Sequence, residues 1–198
     1  MGAVYFVRHG QTVWNVENKI CGMTDSPLTE LGHQQAIWAA QAILDQGIQA
    51  DEILFSPLSR AADTARHIAE ITGLPLRVEP RLIEQAFGRY EGTARNGAEF
   101  KKSKEHFADS YEGGESMLRL AQRVYNLLDE LKAESDHKTY ILVAHNGIAR
   151  VVNSYFHDMS NEEYAAFGLP NCSVTRFDFY ENDKENVHNK KAMRASEV

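Results

Sequence analysis

The sequence predicts an α/β layered domain, and three observations predict it. Three short apolar runs at residues 4–7, 53–55 and 140–144, rich in branched or aromatic side chains, have the length and composition of buried strands. Each is followed by a helix signal. Residues 117–131 carry one apolar stripe, Met117, Leu120, Ala121, Val124, Leu127, Leu128 and Leu131, at helical spacing with polar residues opposite. Strands alternating with helices bury their apolar faces by stacking in layers.

Taken in order, the first strand, residues 4–7, breaks into Arg8-His9-Gly10. A helix is expected over about 29–46, then the strand 53–55. A further helix is expected over 57–71, with Ser56 as its N-cap and Pro57 at the first helical position. The short run 76–78 precedes a loop that contains Glu84, Gly88 and Gly92. Ser116 is placed to cap the 117–131 helix. The strand 140–144 runs into His145-Asn146-Gly147. Residues 173–180 alternate Val174, Arg176 and Asp178 against Thr175, Phe177 and Phe179, the pattern of a strand near a sheet edge.

Nothing resembling a repeat or a low-complexity linker interrupts the chain, so residues 1–180 are expected to form a single domain around one core. Residues 181–198 hold many charged and polar side chains and are expected to be a frayed or weakly docked tail. The apolar fraction of 43% and charged fraction of 25% are those of an ordinary globular protein. The apolar run at residues 3–7 lacks a basic flank and a small-residue cleavage site and is too short for a span, so neither export nor a membrane partner is expected. Cys21 and Cys172 show neither metal-ligand spacing nor a disulfide framework, which fits a reducing cytoplasm. A net charge of −7 argues against nucleic acid as a partner. It leaves room for an anionic small substrate, because a local cluster of cations sets its own near field. Oligomeric state, monomer or homodimer, is left open.

The three strand ends carry the chemistry. In open α/β sheets the ligand crevice lies beyond the carboxyl ends of the strands, so Arg8-His9-Gly10, Ser56-Pro57-Leu58-Ser59-Arg60 and His145-Asn146-Gly147 are expected to converge. Two arginines and two histidines brought together disfavour one another's charged forms, and an anion resolves that conflict. Arginine matches phosphate oxygens with a planar fork, and a helix N-terminus after each strand is expected to add N–H donors. Imidazole is also a nucleophile that forms covalent intermediates, so the set suggests phosphoryl transfer through phosphohistidine. Glu84 is the candidate general acid, its pKa expected to rise through partial burial and a nearby phosphate; Glu91 competes for that role. His33, His67, His106, His137, His157 and His188 are read as surface or packing residues, and Lys101, Lys102 and Lys104 as a solvated face, with a place at the mouth of a pocket as the alternative.

At these residues the sequence resembles the histidine phosphatase superfamily, the phosphoglycerate mutase-like proteins. The matching blocks are R-H-G-Q-T-x-W-N, D-S-P-L-T-E-L-G-H-Q-Q-A, S-P-L-S-R-A-x-D-T-A, L-x-E-x-x-F-G-x-x-E-G, G-G-E-S and A-H-N-G, in that order. The resemblance implies a three-layer α/β/α sandwich with a mixed, mostly parallel central sheet. It implies that His9 is the phosphorylated nucleophile, that Arg8, Arg60 and His145 hold the phosphoryl group, and that Glu84 is acid and base. Asn15, Asn146 and backbone groups near Gly10, Gln11, Cys21 and Gly22 are implied to line the pocket. Neither a metal nor another cofactor is implied.

Departures from the mutase pattern favour a phosphatase of the histidine acid type. Gln85 follows Glu84 where the mutases have Arg, the segment 92–115 is short and free of proline, and the turn after the second histidine reads His145-Asn146-Gly147. Tyr90 stands where the phosphatases usually have Trp, and Asn146 where they usually have Gly. The expected activity is metal-independent hydrolysis of a small phosphorylated metabolite, with specificity in segment 89–116. The alternatives are a phosphoglycerate mutase, which returns the phosphoryl group to a substrate hydroxyl, and an inactive module that binds phosphorylated ligands. Intact His9, Glu84 and His145 argue against the last, since binding alone needs neither nucleophile nor acid.

Overall fold

A computed structural model describes residues 2–104 and 106–179. The expected tail at 181–198 and the last residue of the expected edge strand, Tyr180, lie outside the described residues. In chain order the elements are β1 (Ala3–Arg8), α1 (Val13–Val16), α2 (Glu30–Asp45), β2 (Glu52–Phe55), α3 (Ser59–Thr72), β3 (Leu76–Val78), α4 (Ala98–Ser103), α5 (Met117–Glu134), β4 (Tyr140–Ala144), α6 (Asn146–Phe156), α7 (Asn161–Ala166) and β5 (Val174–Asp178).

The sheet has five strands in the order β3-β2-β4-β1-β5. All neighbours pair in parallel except β5, which runs antiparallel to β1 at the edge. Alternation along each strand then sends its side chains to opposite faces. Val4 and Phe6 of β1, Tyr140 and Leu142 of β4, and Leu54 of β2 pack with α5 and α6. Val7, Ile141, Val143, Ile53 and Phe55 pack on the other face with α2 and α3. Two cores separated by one sheet make the three layers. Burying Leu127 and Leu128 of α5 contributes about 1.5–3 kcal/mol of transfer free energy each, which ties that helix to the sheet more strongly than helix propensity does.

Local signals set most helix starts. The Thr29 side chain accepts from Gly32 N–H at the start of α2, and the Ser116 side chain accepts from Arg119 N–H at the start of α5. The third helix departs from expectation: it starts at Ser59, and Leu58 occupies the N-cap without a side-chain cap bond. Ser56 is fully buried and is not the cap, because its hydroxyl is committed across the sheet to His145. No long helix follows β1 directly either. A single turn, α1, comes first, held by a capping box between Thr12 and Asn15, and α2 begins only at Glu30.

Candidate active site

The strand order makes β2, β4 and β1 adjacent, so their carboxyl ends meet at one edge of the sheet. Backbone pairing continues past the strands: His9 N–H donates to the Ala144 carbonyl (2.9 Å) and Ser56 N–H to the Val143 carbonyl (3.0 Å). The His9 and His145 rings, far apart in sequence, therefore lie with centroids 5.2 Å apart.

His9 is 5% exposed, and its Nδ1 lies 2.7 Å from the Gly10 carbonyl oxygen. A carbonyl can only accept, so Nδ1 carries the proton and Nε2 keeps its lone pair. Burial, and then the nearby Arg60 and Arg8 guanidinium groups, hold its pKa well below the ordinary value. His145 is fully buried and neutral for the same leading reasons, burial and then Arg60. Arg60 Nε donates to its Nδ1 (3.2 Å), and its Nε2 donates to Ser56 Oγ (2.7 Å). Both ring nitrogens of His145 are thus engaged within the protein.

Neutral burial of two imidazoles has a consequence for stability. The unfolded chain takes up protons below about pH 6.5 that the folded chain refuses, so stability is full above that value and falls as pH drops beneath it. The expected slope is about 1.4 kcal/mol per pH unit for each histidine. Thermal unfolding of the wild type and of His9→Ala between pH 6.5 and 5 checks this. The variant should show a visibly shallower decline, and equal slopes would mean that the His9 ring is not held neutral.

Arg60, 1% exposed, is anchored through Nη2 to the Gly22 carbonyl (2.7 Å), through Nη1 to the Thr24 carbonyl (3.0 Å), and by a 3.5 Å ion pair with Asp25. Arg8 Nη1 donates to the Leu169 carbonyl (2.6 Å), while its buried Nε has no acceptor among the described residues. An orphaned buried donor is costly, and an anionic oxygen is the natural partner for it. Burial first, and then Arg95, bring the Arg8 pKa down to about 10. Glu84 is 5% exposed, with Oε1 accepting from Gln85 N–H and Oε2 from Gly147 N–H, both at 2.9 Å. The N-terminus of α6 thus fixes this carboxylate. A Cβ at position 147 would stand 2.3 Å from Glu84 Oε1, so any larger residue there would push the carboxylate out of its place.

A cavity of about 80 Å³ joins these groups, lined among others by Arg8, His9, Asn15, Cys21, Glu84 and Asn146. Six of the residues expected from sequence therefore face one space. Arg60 and His145 do not line it. Gly10, Gln11 and Gly22 do not line it either, and their N–H groups are committed to Thr64 Oγ1, Gln35 Oε1 and Glu91 Oε2. Lys104 lines it, as the alternative reading of the lysines allows, and Arg95 and Arg150 line it without having been expected. Arg150 stands four residues after Asn146 on α6, a spacing that puts both on one helix face and was legible. Lys101 and Lys102 are exposed, as a solvated face requires, although Lys101 also borders the larger cavity; Lys104 is half-buried and lines both cavities.

Glu91, the competitor for the acid role, is a structural clamp. Its carboxylate accepts from the N–H groups of Gly22 (3.0 Å), Met23 (3.1 Å), Thr24 (3.3 Å) and Phe87 (3.0 Å), tying the loop that anchors Arg60 to the loop that follows Glu84. Glu91→Gln turns one acceptor oxygen into a donor facing N–H groups. It should lower stability by about 2 kcal/mol, or about 4–8 °C in Tm, measured by thermal unfolding. An unchanged Tm would remove the clamp.

Elsewhere, His33 Nδ1 lies 3.0 Å from His67 Nε2, joining α2 to α3 as a packing pair. Cys21 and Cys172 are free thiols. Among the described residues, no group of three or more His, Cys, Asp or Glu side chains is placed to hold a metal ion, and no helix is long and apolar enough to cross a membrane.

The model of the histidine phosphatase superfamily (branch 1) matches residues 4–190. A probable phosphoglycerate mutase of Yersinia pestis (strain Pestoides F) is 34% identical over 186 residues, covering 90% of this chain and 86% of that protein. The solved structure of a mycobacterial glucosyl-3-phosphoglycerate phosphatase in complex with VO3 superimposes with a TM-score of 0.77 at 32% identity, covering 89% of this chain and 92% of that one. A putative α-ribazole-5′-P phosphatase from Escherichia coli shares the fold, with a TM-score of 0.77 at 23% identity and 91% of each chain covered. With its motif blocks in order, its strand ends converged on paired histidines and this family match over most of its length, the chain belongs to the histidine phosphatase superfamily, branch 1.

Proposed function

We propose that the protein is a metal-independent phosphomonoester hydrolase that acts on a small phosphorylated metabolite through a phosphohistidine at His9. The observation that carries this reading is the tautomer of His9. The Gly10 carbonyl holds the proton on Nδ1, leaving a neutral Nε2 lone pair in a cavity shared with Glu84 and the guanidinium of Arg8. In the first step Nε2 attacks phosphorus, the P–N bond forms as the P–O bond breaks, and Glu84 gives its proton to the departing alkoxide. In the second, Glu84 takes a proton from water as that water attacks phosphorus, the P–N bond breaks, and inorganic phosphate leaves. Arg8 stabilises charge on the equatorial oxygens, and Arg60, whose charge is felt at His9, acts through its field. His145, neutral between Arg60 and Ser56, orients that arginine, so the phosphate-holding role that the resemblance implies for it gives way to a positioning role.

A mutase reading is favoured by one observation, the 34% identity to a protein named a probable phosphoglycerate mutase. Both activities share the first step and differ in whether water or a second hydroxyl takes the phosphoryl group. The deciding experiment measures phosphate release from a panel of phosphomonoesters without added metal, beside a 3-phosphoglycerate to 2-phosphoglycerate assay. Release without isomerisation is expected. Isomerisation without release would establish the mutase, and dependence on added magnesium would sink the metal-independent scheme.

A further inference from the structure

Beside the 80 Å³ cavity that holds His9 and Glu84 lies a second cavity of about 510 Å³, and Phe87, Lys104 and Arg150 line both. Its walls include Phe107, Tyr111, Met117 and Tyr164. A phosphoryl group fills the small cavity, whereas the large one has the size and aromatic lining of a site for a ring-sized organic group. A three-carbon phosphoacid would leave most of it unfilled.

The charge around the junction exceeds what one phosphoryl group balances. Arg8, Arg95, Lys104 and Arg150 all line the small cavity, and among the described residues none of them makes an ion pair. Their recorded partners are neutral: Arg8 Nη1 with the Leu169 carbonyl (2.6 Å), Arg95 Nη2 with the Lys19 carbonyl (3.1 Å), Arg150 Nε with the Phe167 carbonyl (2.8 Å), and Lys104 Nζ over the Phe100 ring (5.0 Å). With Glu84 carrying the proton it gives to the leaving group, a phosphoryl dianion neutralises two of these four charges. Lys104 and Arg150, which line both cavities, share what is left; Lys101 also lines the large one but is exposed. Glu162 also lines that cavity, but it is exposed. Burial, with Arg150 and Arg95 adding to it, brings the Lys104 pKa down to about 8, and burial lowers that of Arg150. Both groups therefore gain from an anion placed between them.

We propose that the alcohol part of the substrate is a ring-sized group bearing its own carboxylate, seated in the large cavity with that carboxylate on Lys104 and Arg150. This deepens the hydrolase reading and rests on it only for the fate of the phosphoryl end. Specificity is then divided between segment 89–116, which supplies Lys104, Phe107 and Tyr111, and α6 and α7, which supply Arg150 and Tyr164.

The test is calorimetric binding of a matched pair, naphthylmethylphosphonate and its ring-carboxylated analogue, whose C–P bonds are not hydrolysed. The carboxylated compound should bind roughly tenfold or more tightly than its parent, the effect of a new charge-assisted contact. Lys104→Met should remove most of that preference and Lys104→Arg should retain it. Equal affinities, no binding of either compound, or a preference untouched by Lys104→Met would overturn the proposal. Turnover is read separately: a preference present in a protein that releases no phosphate from 4-nitrophenyl phosphate sustains this site and removes the hydrolase reading.

Discussion

His9→Ala should abolish turnover of every phosphomonoester, with a loss of roughly 10⁴-fold or more, the scale seen when a covalent catalyst loses its nucleophile. Alanine leaves Arg8, Arg60 and Glu84 in place, so phosphate should still bind while no P–N bond can form. Two measurements separate this from mere misfolding. Rapid quenching of the wild type during turnover of labelled substrate should trap protein-bound phosphorus that is lost in acid and survives alkali, as a phosphoramidate does, and the variant should trap none. The variant should also unfold cooperatively. Removing the His9 ring leaves a small cavity, but it also removes a buried imidazole that the fold must keep neutral, so its deficit in Tm should shrink as pH falls from 6.5. Retained turnover, or an adduct that persists in His9→Ala, would move the nucleophile elsewhere. A hydrolase acting by direct attack of water would show no trapped phosphorus even in the wild type.

Much of this site was legible because its parts sit where periodicity stops. The apolar runs of β1, β2 and β4 are short and bounded, and each ends in residues that a core strand does not need, so convergence of Arg8, His9, Arg60 and His145 followed from the general geometry of α/β sheets. The Met117–Glu134 helix was legible from its stripe for the same reason. The misreadings all concern groups whose partner is distant in sequence. Ser56 has the composition and position of a cap, but Ser56 Oγ meets His145 Nε2 from the next strand. Glu91 looks like a second acid until four backbone N–H groups from two loops are seen converging on it. Both ring nitrogens of His145, implied to hold phosphate, are engaged by Arg60 and Ser56, an arrangement that no local pattern encodes. Arg95 and Lys104 lie in irregular chain placed by a small aromatic core of Ile20, Phe87, Tyr90, Phe100 and Tyr111, and a sequence without periodicity does not reveal which of its cations turn inward.

Glu84→Gln should divide substrates by how badly their leaving group needs a proton. For alkyl phosphates, whose alkoxides are poor leaving groups, kcat/KM should fall by roughly 10² to 10⁴, the range attributed to a positioned general acid. For an aryl phosphate such as 4-nitrophenyl phosphate, kcat/KM should fall far less, because the phenolate departs with little help. The second step gives a further separation. Glutamine cannot take a proton from water, so the phosphohistidine should outlive the first turnover even with the aryl substrate. A burst of about one nitrophenolate per active site should precede a slow steady rate, the signature of an accumulated covalent intermediate. The two hydrogen bonds of Glu84 limit the structural side effects: an amide keeps one acceptor for either Gln85 N–H or Gly147 N–H, and its NH₂ faces the other donor. That mismatch should cost about 1–3 kcal/mol of stability and act on both substrates alike. A purely structural role therefore predicts equal losses in kcat/KM for alkyl and aryl phosphates and no burst. Such a result would take Glu84 out of the acid role, whatever the size of the loss.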